Sequence, residues 1–381
     1  MPQFDRRVLP YGIFLAALAM LLRPAPGEGS AAHESTGWRP TAVPLWNYST
    51  DDGTGYGLRA NLYEYDGITV PYRRKYSAQL FFTTGGKWVH RLLMDTPRFR
   101  GGADRLELEF VFEKEEFANY YGGLSREETR GLGRDHTTFS QAFPEIKLRW
   151  IRRLGLPRGS TPWRLRLGSR LSYYRISPNA RAGNILVEQD PLGADGGSLA
   201  QVDASLRYDT RDNYNDSSAG LLEELLVEYT FGAGGDYNGI RARLEHRHFA
   251  SPVSGIVAAH RLALDWTGGD LPFFEELELG GSNTVRGLPK ARDRGSARVL
   301  LNGELRWRGL RLSRAENIHL GALLFADAGQ IFDRGELPAG DRWRRGAGLG
   351  VRLHWHSTIV RADYGSSAGG TGTYITFSQV F

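Results

Sequence analysis

Leu106-Glu107-Leu108-Glu109-Phe110-Val111-Phe112-Glu113 is the stretch that decides the fold. Leu106, Leu108, Phe110 and Phe112 alternate with Glu107, Glu109, Val111 and Glu113, a period of two. Successive side chains of a strand point to opposite faces, so this segment has one apolar and one charged face. The pattern recurs along the chain. Trp163, Leu165, Leu167, Leu171 and Tyr173 alternate with Arg164, Arg166, Gly168 and Arg170. Val299, Leu301, Leu305 and Trp307 alternate with Arg298, Asn302, Glu304, Arg306 and Arg308. Ala347, Leu349, Val351, Leu353 and Trp355 alternate with glycines, Arg352 and His354.

A soluble sandwich would turn the apolar faces inward, whereas a transmembrane barrel turns them outward into lipid around a polar lumen. The second reading fits better. The segments run about ten to fifteen residues, longer than soluble strands and suited to a tilted span. Trp163 with Tyr173, and Trp343 with Trp355, stand at segment ends as in interfacial girdles. The polar faces carry both signs of charge on strand after strand, which suits a water-filled lumen. The expected fold is therefore all-β, a 16-stranded antiparallel transmembrane β-barrel of the outer membrane. Its strands are expected near 43–50, 55–66, 75–83, 88–97, 105–118, 139–154, 162–177, 198–211, 219–230, 239–250, 255–267, 297–308, 317–331, 342–355, 357–365 and 372–381. An even count closes the barrel with both termini on one side, expected to be periplasmic. The long connections, about 119–138, 178–197 and 268–296, all fall on the other side. The last is apolar and glycine-rich, and such a loop needs packing of its own.

Composition removes other classes. The 381 residues include no cysteine, which excludes disulfide scaffolds, four-cysteine zinc sites and thiol catalysis. A charged fraction of 24% excludes a helical membrane protein. The net charge of +5 is small for this length, so no nucleic-acid partner is expected. Residues 1–32 read as a signal peptide: Arg6 and Arg7, an apolar run from Val8 to Leu22, then Ser30-Ala31-Ala32. The competing reading is a single N-terminal anchor. Residues 33–42 follow as a short periplasmic segment, and 43–381 form the barrel.

Gly280-Gly281-Ser282-Asn283-Thr284-Val285-Arg286-Gly287-Leu288 resembles the sixth-loop motif of the BamA/TamA outer-membrane assembly superfamily, the bacterial surface-antigen barrels of Gram-negative cells. Three further segments agree in order: Tyr208–Asn213 resembles a periplasmic turn of the family, Phe325-Ala326-Asp327-Ala328-Gly329 a strand signature, and Gly346–Arg352 its glycine-rich strand. Leu288 departs mildly from the family's aromatic residue. A larger departure is that no POTRA domain, the periplasmic module that captures clients, precedes the barrel. The resemblance implies that the sixth loop folds back into the lumen, where Arg286 meets Glu304 and Asp327 as a structural latch. Gly280, Gly281, Val285 and Gly287 form the loop motif. The terminal run Tyr374–Phe381 resembles the end of many outer-membrane barrels, with Phe381 as the signal read by the cell's assembly machinery. The bland alternative to the latch is a glycine-rich surface turn with a solvated arginine.

Other candidates yield to simpler readings. His246 with His248, and His354 with His356, each share one strand face, but no carboxylate stands at ligand spacing beside either pair. They read as lumenal or interfacial histidines, and no metal is expected. Asp51-Asp52-Gly53 and Asp212–Asp216 read as turn formers. No Ser/His/Asp set in a plausible order and no phosphate loop occurs, so neither an enzyme nor a cofactor is expected.

The function expected from the resemblance is outer-membrane protein insertion, protein translocation or envelope assembly, acting through the seam between the first and last strands. The alternative is a passive pore or structural barrel. Expected partners are outer-membrane lipids, the assembly machinery for its own insertion and, under the first reading, client polypeptides.

Overall fold

A computed structural model describes residues 36–381 apart from 101, 103, 156–160, 233, 235, 314–317 and 356–357. The signal-peptide segment 1–32 and His356 lie outside the described residues. Sixteen strands close the barrel: β1 Thr36–Ser49, β2 Gly53–Asp66, β3 Arg74–Thr83, β4 Lys87–Phe99, β5 Asp104–Asn119, β6 Thr138–Arg153, β7 Trp163–Pro178, β8 Gly197–Asp209, β9 Gly220–Gly232, β10 Asn238–Val253, β11 Ile256–Asp270, β14 Ala297–Ser313, β15 Ile318–Phe332, β16 Arg344–Trp355, β17 Thr358–Ser367 and β18 Gly370–Phe377. Two short strands, β12 Leu277–Leu279 and β13 Asp293–Gly295, pair with each other inside the connection from β11 to β14. Each barrel strand is antiparallel to its neighbours, and β1 meets β18.

The period-two pattern sorts side chains as expected. Leu108, Phe110, Leu167, Leu171, Leu301 and Leu305 are exposed on the outside, while Glu115, Glu145, Glu245, Asp265 and Glu304 are buried inside. Trp163 packs edge-on against Tyr208 at a ring separation of 4.9 Å, one piece of an outer aromatic girdle at the end nearer the termini.

Two of the boundaries that differ from expectation lie at the seam, and a third is the end of β14, which runs to Ser313 rather than stopping near residue 308. β1 begins at Thr36 rather than near residue 43, because Thr36 to Ser49 pairs continuously with β2, from Thr36↔Asp66 to Ser49↔Gly53. Residues 36–42 are thus barrel strand, not a separate segment. At the other end, β18 stops at Phe377 instead of running to Phe381. Ser378 adopts a left-handed φ of 65°, which ends the strand and turns the tail inward. Phe381 is buried against Phe249 and Ala259 rather than sharing a strand face with Ile375 and Phe377.

The long connections cover the end of the barrel away from the termini and pack on one another. Tyr120, Phe139, Ile185, Leu186 and Phe273 form an apolar cluster there. It includes a short helix, α1 Ile185–Gln189, capped by the Asn184 side chain accepting from Leu186 N–H at 3.0 Å.

A closed sheet of this size should stay folded in detergent until heated. The unheated protein is expected to migrate differently from the boiled one on a denaturing gel and to show β-rich circular dichroism. A helix-rich product migrating identically in both states would overturn the barrel.

Candidate functional site: a loop folded into the lumen beside a narrow seam

Beyond that cluster, the connection from β11 to β14 continues into the barrel. Pro272 starts a 3-10 turn, Phe273–Glu275, which plants Phe273 in the apolar cluster and stacks Phe274 on Tyr174 at 4.2 Å. Glu275 is buried and accepts from Arg170 at 2.8 Å, with Gln201 at 3.3 Å. The chain then passes through β12 to the glycine motif. Thr284 Oγ1 donates to Gly280 O and accepts from Gly280 N–H, both at 2.8 Å, while Gly281 N–H donates to Leu288 O at 2.8 Å. These bonds close a tight loop that presents Arg286.

Arg286 is fully buried among carboxylates. Its Nε and Nη2 donate to the two oxygens of Asp327 at 2.8 and 2.9 Å, a bidentate fork. Nη1 donates to Glu304 at 2.8 Å and to Asp363 at 3.2 Å. Its backbone N–H adds a 3.1 Å bond to Asp327. The guanidinium lies 3.4 Å from the ring centroid of Phe325, a cation–π contact. All three anions come from the wall, on β14, β15 and β17. Arg306 shares Glu304 at 2.8 Å, and Arg352 pairs with Asp363, so the charges interleave rather than accumulate.

The wall is shaped to receive the loop. Gly287 has a φ of +90°, and a Cβ there would meet the backbone of Gly365 and Ser366 at 2.8–2.9 Å. A side chain at Gly346 would strike the Arg286 carbonyl. The glycine-rich β16 is thus the surface on which the loop lies. Val285 and Leu288 are buried with Ala263, Leu279 and Leu300, so Leu288 fills an apolar socket.

The structure brings together Arg286, Glu304 and Asp327, as the sequence reading placed them, and Gly280, Gly281, Val285 and Gly287 around them. Asp363, the third carboxylate, escaped that reading, because nothing near Asp363 in sequence marks it as facing a loop 77 residues away.

The same loop touches both sides of the seam. Gly287 N–H donates to Tyr374 Oη on β18 at 3.2 Å, and Lys290 N–H donates to Asp51, in the turn after β1, at 3.2 Å. There β1 and β18 share their register pairs, Tyr48↔Ile375 and Ser49↔Tyr374, with Thr50 N–H donating to Thr373 O at 3.0 Å. Towards the termini the strands part around an opening of about 680 Å³, lined by Leu45, Trp46, Asn47, Thr376, Phe377 and Ser378 among others.

The tail beyond β18 is held inside that opening. Gln379 accepts from Arg352 at 2.9 Å and donates to Asp216 at 3.2 Å, and Arg306 Nη2 donates to the Phe381 carbonyl at 3.3 Å. Asp216, in the turn after β8, also pairs with Arg308 at 3.0 Å and with His354 at 3.2 Å. Burial raises the Asp216 carboxyl, but the His354 hydrogen bond and the Arg308 charge outweigh it and hold the group below the ordinary range. Asp212 accepts from Ser218 and Ala219 N–H at 2.9 and 3.2 Å, so this acidic run organises its own turn. His354 faces the lumen, whereas His246 and His248 stand on the outside, beside Leu244.

Comparison with known proteins places this geometry. Residues 102–376 match the Omp85 superfamily domain, and the chain belongs to that superfamily. The fold resembles BamA from Haemophilus ducreyi lacking POTRA domains 1–3, at 13% identity and a TM-score of 0.63 over 89% of this chain and 70% of that one. It also resembles CdiB from Acinetobacter baumannii (12% identity, TM-score 0.53, 91% of this chain and 66% of that one) and CdiB from Escherichia coli (11%, 0.58, 90% and 63%). No curated protein sequence is significantly similar to the chain.

Removing the Arg286 side chain strands Asp327 without its fork, a loss on the order of 3 kcal/mol. Arg286→Ala is expected to keep the heat-dependent gel shift, lower the urea midpoint and expose residues 271–296 to protease. Unchanged proteolysis and midpoint would show that the loop is held without its arginine.

Proposed function

We propose that this Omp85-superfamily barrel inserts or translocates client polypeptides at the outer membrane, with both termini periplasmic, and that it does so without enzymatic chemistry or a cofactor. The observation that carries the reading is the seam. Fourteen residues of β1 pair with β2, but only Tyr48 and Ser49 have register partners on β18 among the described residues. Most of β1 therefore offers an unpaired edge, and such an edge pairs readily with an incoming strand. The opening of about 680 Å³ lies where a client strand would enter.

The sixth loop supports this reading over a passive pore. It spans the lumen from Glu275 on one wall to Arg286 on the other, so protein crosses the charged interior. Its bonds to Asp51 and Tyr374 tie the loop to the closed end of the seam, so movement of the loop and parting of the strands are mechanically coupled. Outer-membrane lipids surround the apolar exterior, and Phe381 serves the barrel's own insertion through the resident assembly machinery.

A disulfide across Tyr48→Cys and Ile375→Cys tests the seam, and the absence of native cysteine leaves the two thiols no competing partner. The oxidised protein is expected to lose its ability to restore envelope integrity to a deletion strain and to regain it on reduction. Conductance in planar bilayers is expected to be small and to rise with Arg286→Ala. A stapled protein that restores the strain fully and conducts steadily would establish the pore instead.

A further inference from the structure

The opening below the β1–β18 pairs carries a charge imbalance. Elsewhere lumenal arginines stand against carboxylates, as Arg170 does against Glu145 at 3.0 Å and Arg298 against Asp265 at 2.7 Å. The residues that line the opening include Arg59 and Arg91 but no Asp or Glu. Arg59, Gln79 and Arg91 stand side by side in register on β2, β3 and β4. Arg59 donates through Nε and Nη2 to the uncharged Gln79 Oε1 at 3.0 and 2.6 Å, and it makes no ion pair among the described residues. Arg91 reaches only Glu109, at 3.8 Å, and that carboxylate lies closer to Arg149, at 3.3 Å. Across the seam, Arg361 is buried in register with Thr376 of the rim, and its Nε and Nη1 have no hydrogen-bond partner among the described residues. Its neighbour Asp363 is already shared by Arg286 and Arg352.

Cations gathered without anions repel one another, and a cavity with low-dielectric walls focuses their field. An anion between Arg59 and Arg91 relieves this, and a guanidinium fork matches phosphate or carboxylate. The rest of the lining decides what carries the anion. Trp46 lies on the lipid side, in register with the exposed Tyr56, and Phe377 is exposed on β18. Leu45 and Ile359 continue the apolar surface inwards, while Asn47 and Asn215 add amides. The opening thus joins a basic lumenal wall to an aromatic rim on the bilayer side, and its volume of about 680 Å³ suits a small ligand. That is the chemistry of an anionic amphiphile. The bilayer supplies one at this slit, a phospholipid, whose phosphate is drawn to basic pockets while its chains stay in lipid. A client strand, by contrast, is recognised by the free backbone edge of β1 and needs no fixed cation.

We propose that the opening binds a phospholipid, with its phosphate between Arg59 and Arg91 and its acyl chains leaving past Trp46 and Phe377 into the bilayer. Arg59 stands in register with Val43, midway along β1, so the phosphate lies inside the barrel, where polar lumen rather than hydrocarbon surrounds it. Arg361 adds positive potential from the far side of the seam. The site uses the opening but not the client-handling reading.

The test uses the full-length protein in dodecyl maltoside and native mass spectrometry, with dioleoyl-phosphatidylglycerol as the probe. One lipid per chain is expected to be retained, and the double variant Arg59→Gln, Arg91→Gln is expected to hold it roughly 10- to 100-fold more weakly. Dioleoylglycerol, with the same chains and no phosphate, is expected not to be retained. Inorganic phosphate in millimolar excess is expected to leave the lipid in place, and displacement by it would overturn the lipid in favour of a soluble phosphate. Arg152→Gln, at the end of β6 where Arg152 pairs with Asp104 at 3.3 Å, is expected to bind as the parent does. The heat-dependent gel shift verifies that every variant is folded. Equal retention in the double variant, or equal retention of dioleoylglycerol, would overturn the site. The oxidised Tyr48→Cys, Ile375→Cys protein is expected to keep the lipid, because the staple joins residues already paired and leaves the opening below them. The lipid site and the client-handling reading therefore fail separately.

Discussion

The interior of this barrel is organised around one buried cation. Arg286 contributes its guanidinium to Asp327, Glu304 and Asp363 at once, and none of these side chains retains contact with solvent. An arginine placed there without its anions, or the anions without the arginine, would carry a desolvation penalty of several kcal/mol. The arrangement therefore exists only with the loop inside. Loop and wall specify each other: the arginine needs the carboxylates, and the glycines of β16 and β17 give its backbone room to reach them.

That docking has a consequence at the seam. The loop is anchored on one side by Phe273, Phe274 and Glu275, and on the other by Arg286, Gly287 and Lys290. The last two contact the β18 side and the β1 side of the closure. The barrel is thus held shut at the loop end by a few backbone pairs and an internal strut, while towards the termini the strands diverge. Two local features produce the divergence. Ser378 leaves the extended conformation, and the tail finds better partners inside, where Arg352, Asp216 and Arg306 meet Gln379 and the Phe381 carbonyl.

The outer face shows the same economy in reverse. It is apolar over most of its height because lipid offers no hydrogen bonds, so the polar group of Glu223, His246, His248 and His260 stands out. Its position in register with Tyr208 puts it where water reaches the protein, and there a polar cluster can persist.

The barrel was legible in the sequence because a strand's two faces are a local property: Leu106 to Glu113 shows its alternation whatever lies beside it. Sixteen strands could be counted from such segments, and the loop motif around Arg286 could be tied to Glu304 and Asp327 through family resemblance. The rest depends on contacts between residues far apart in the chain. Asp363 joins Arg286 across 77 residues, and Glu223 reaches His246 across 23, through pairings that no local pattern encodes. The alternation continues through Phe377 towards Phe381, so sequence alone extends the last strand to the end. Only the folded lumen, with Phe249 and Arg306 waiting on other strands, decides that the tail turns inward. Periodicity determines which way a side chain points, and tertiary structure determines what it meets there.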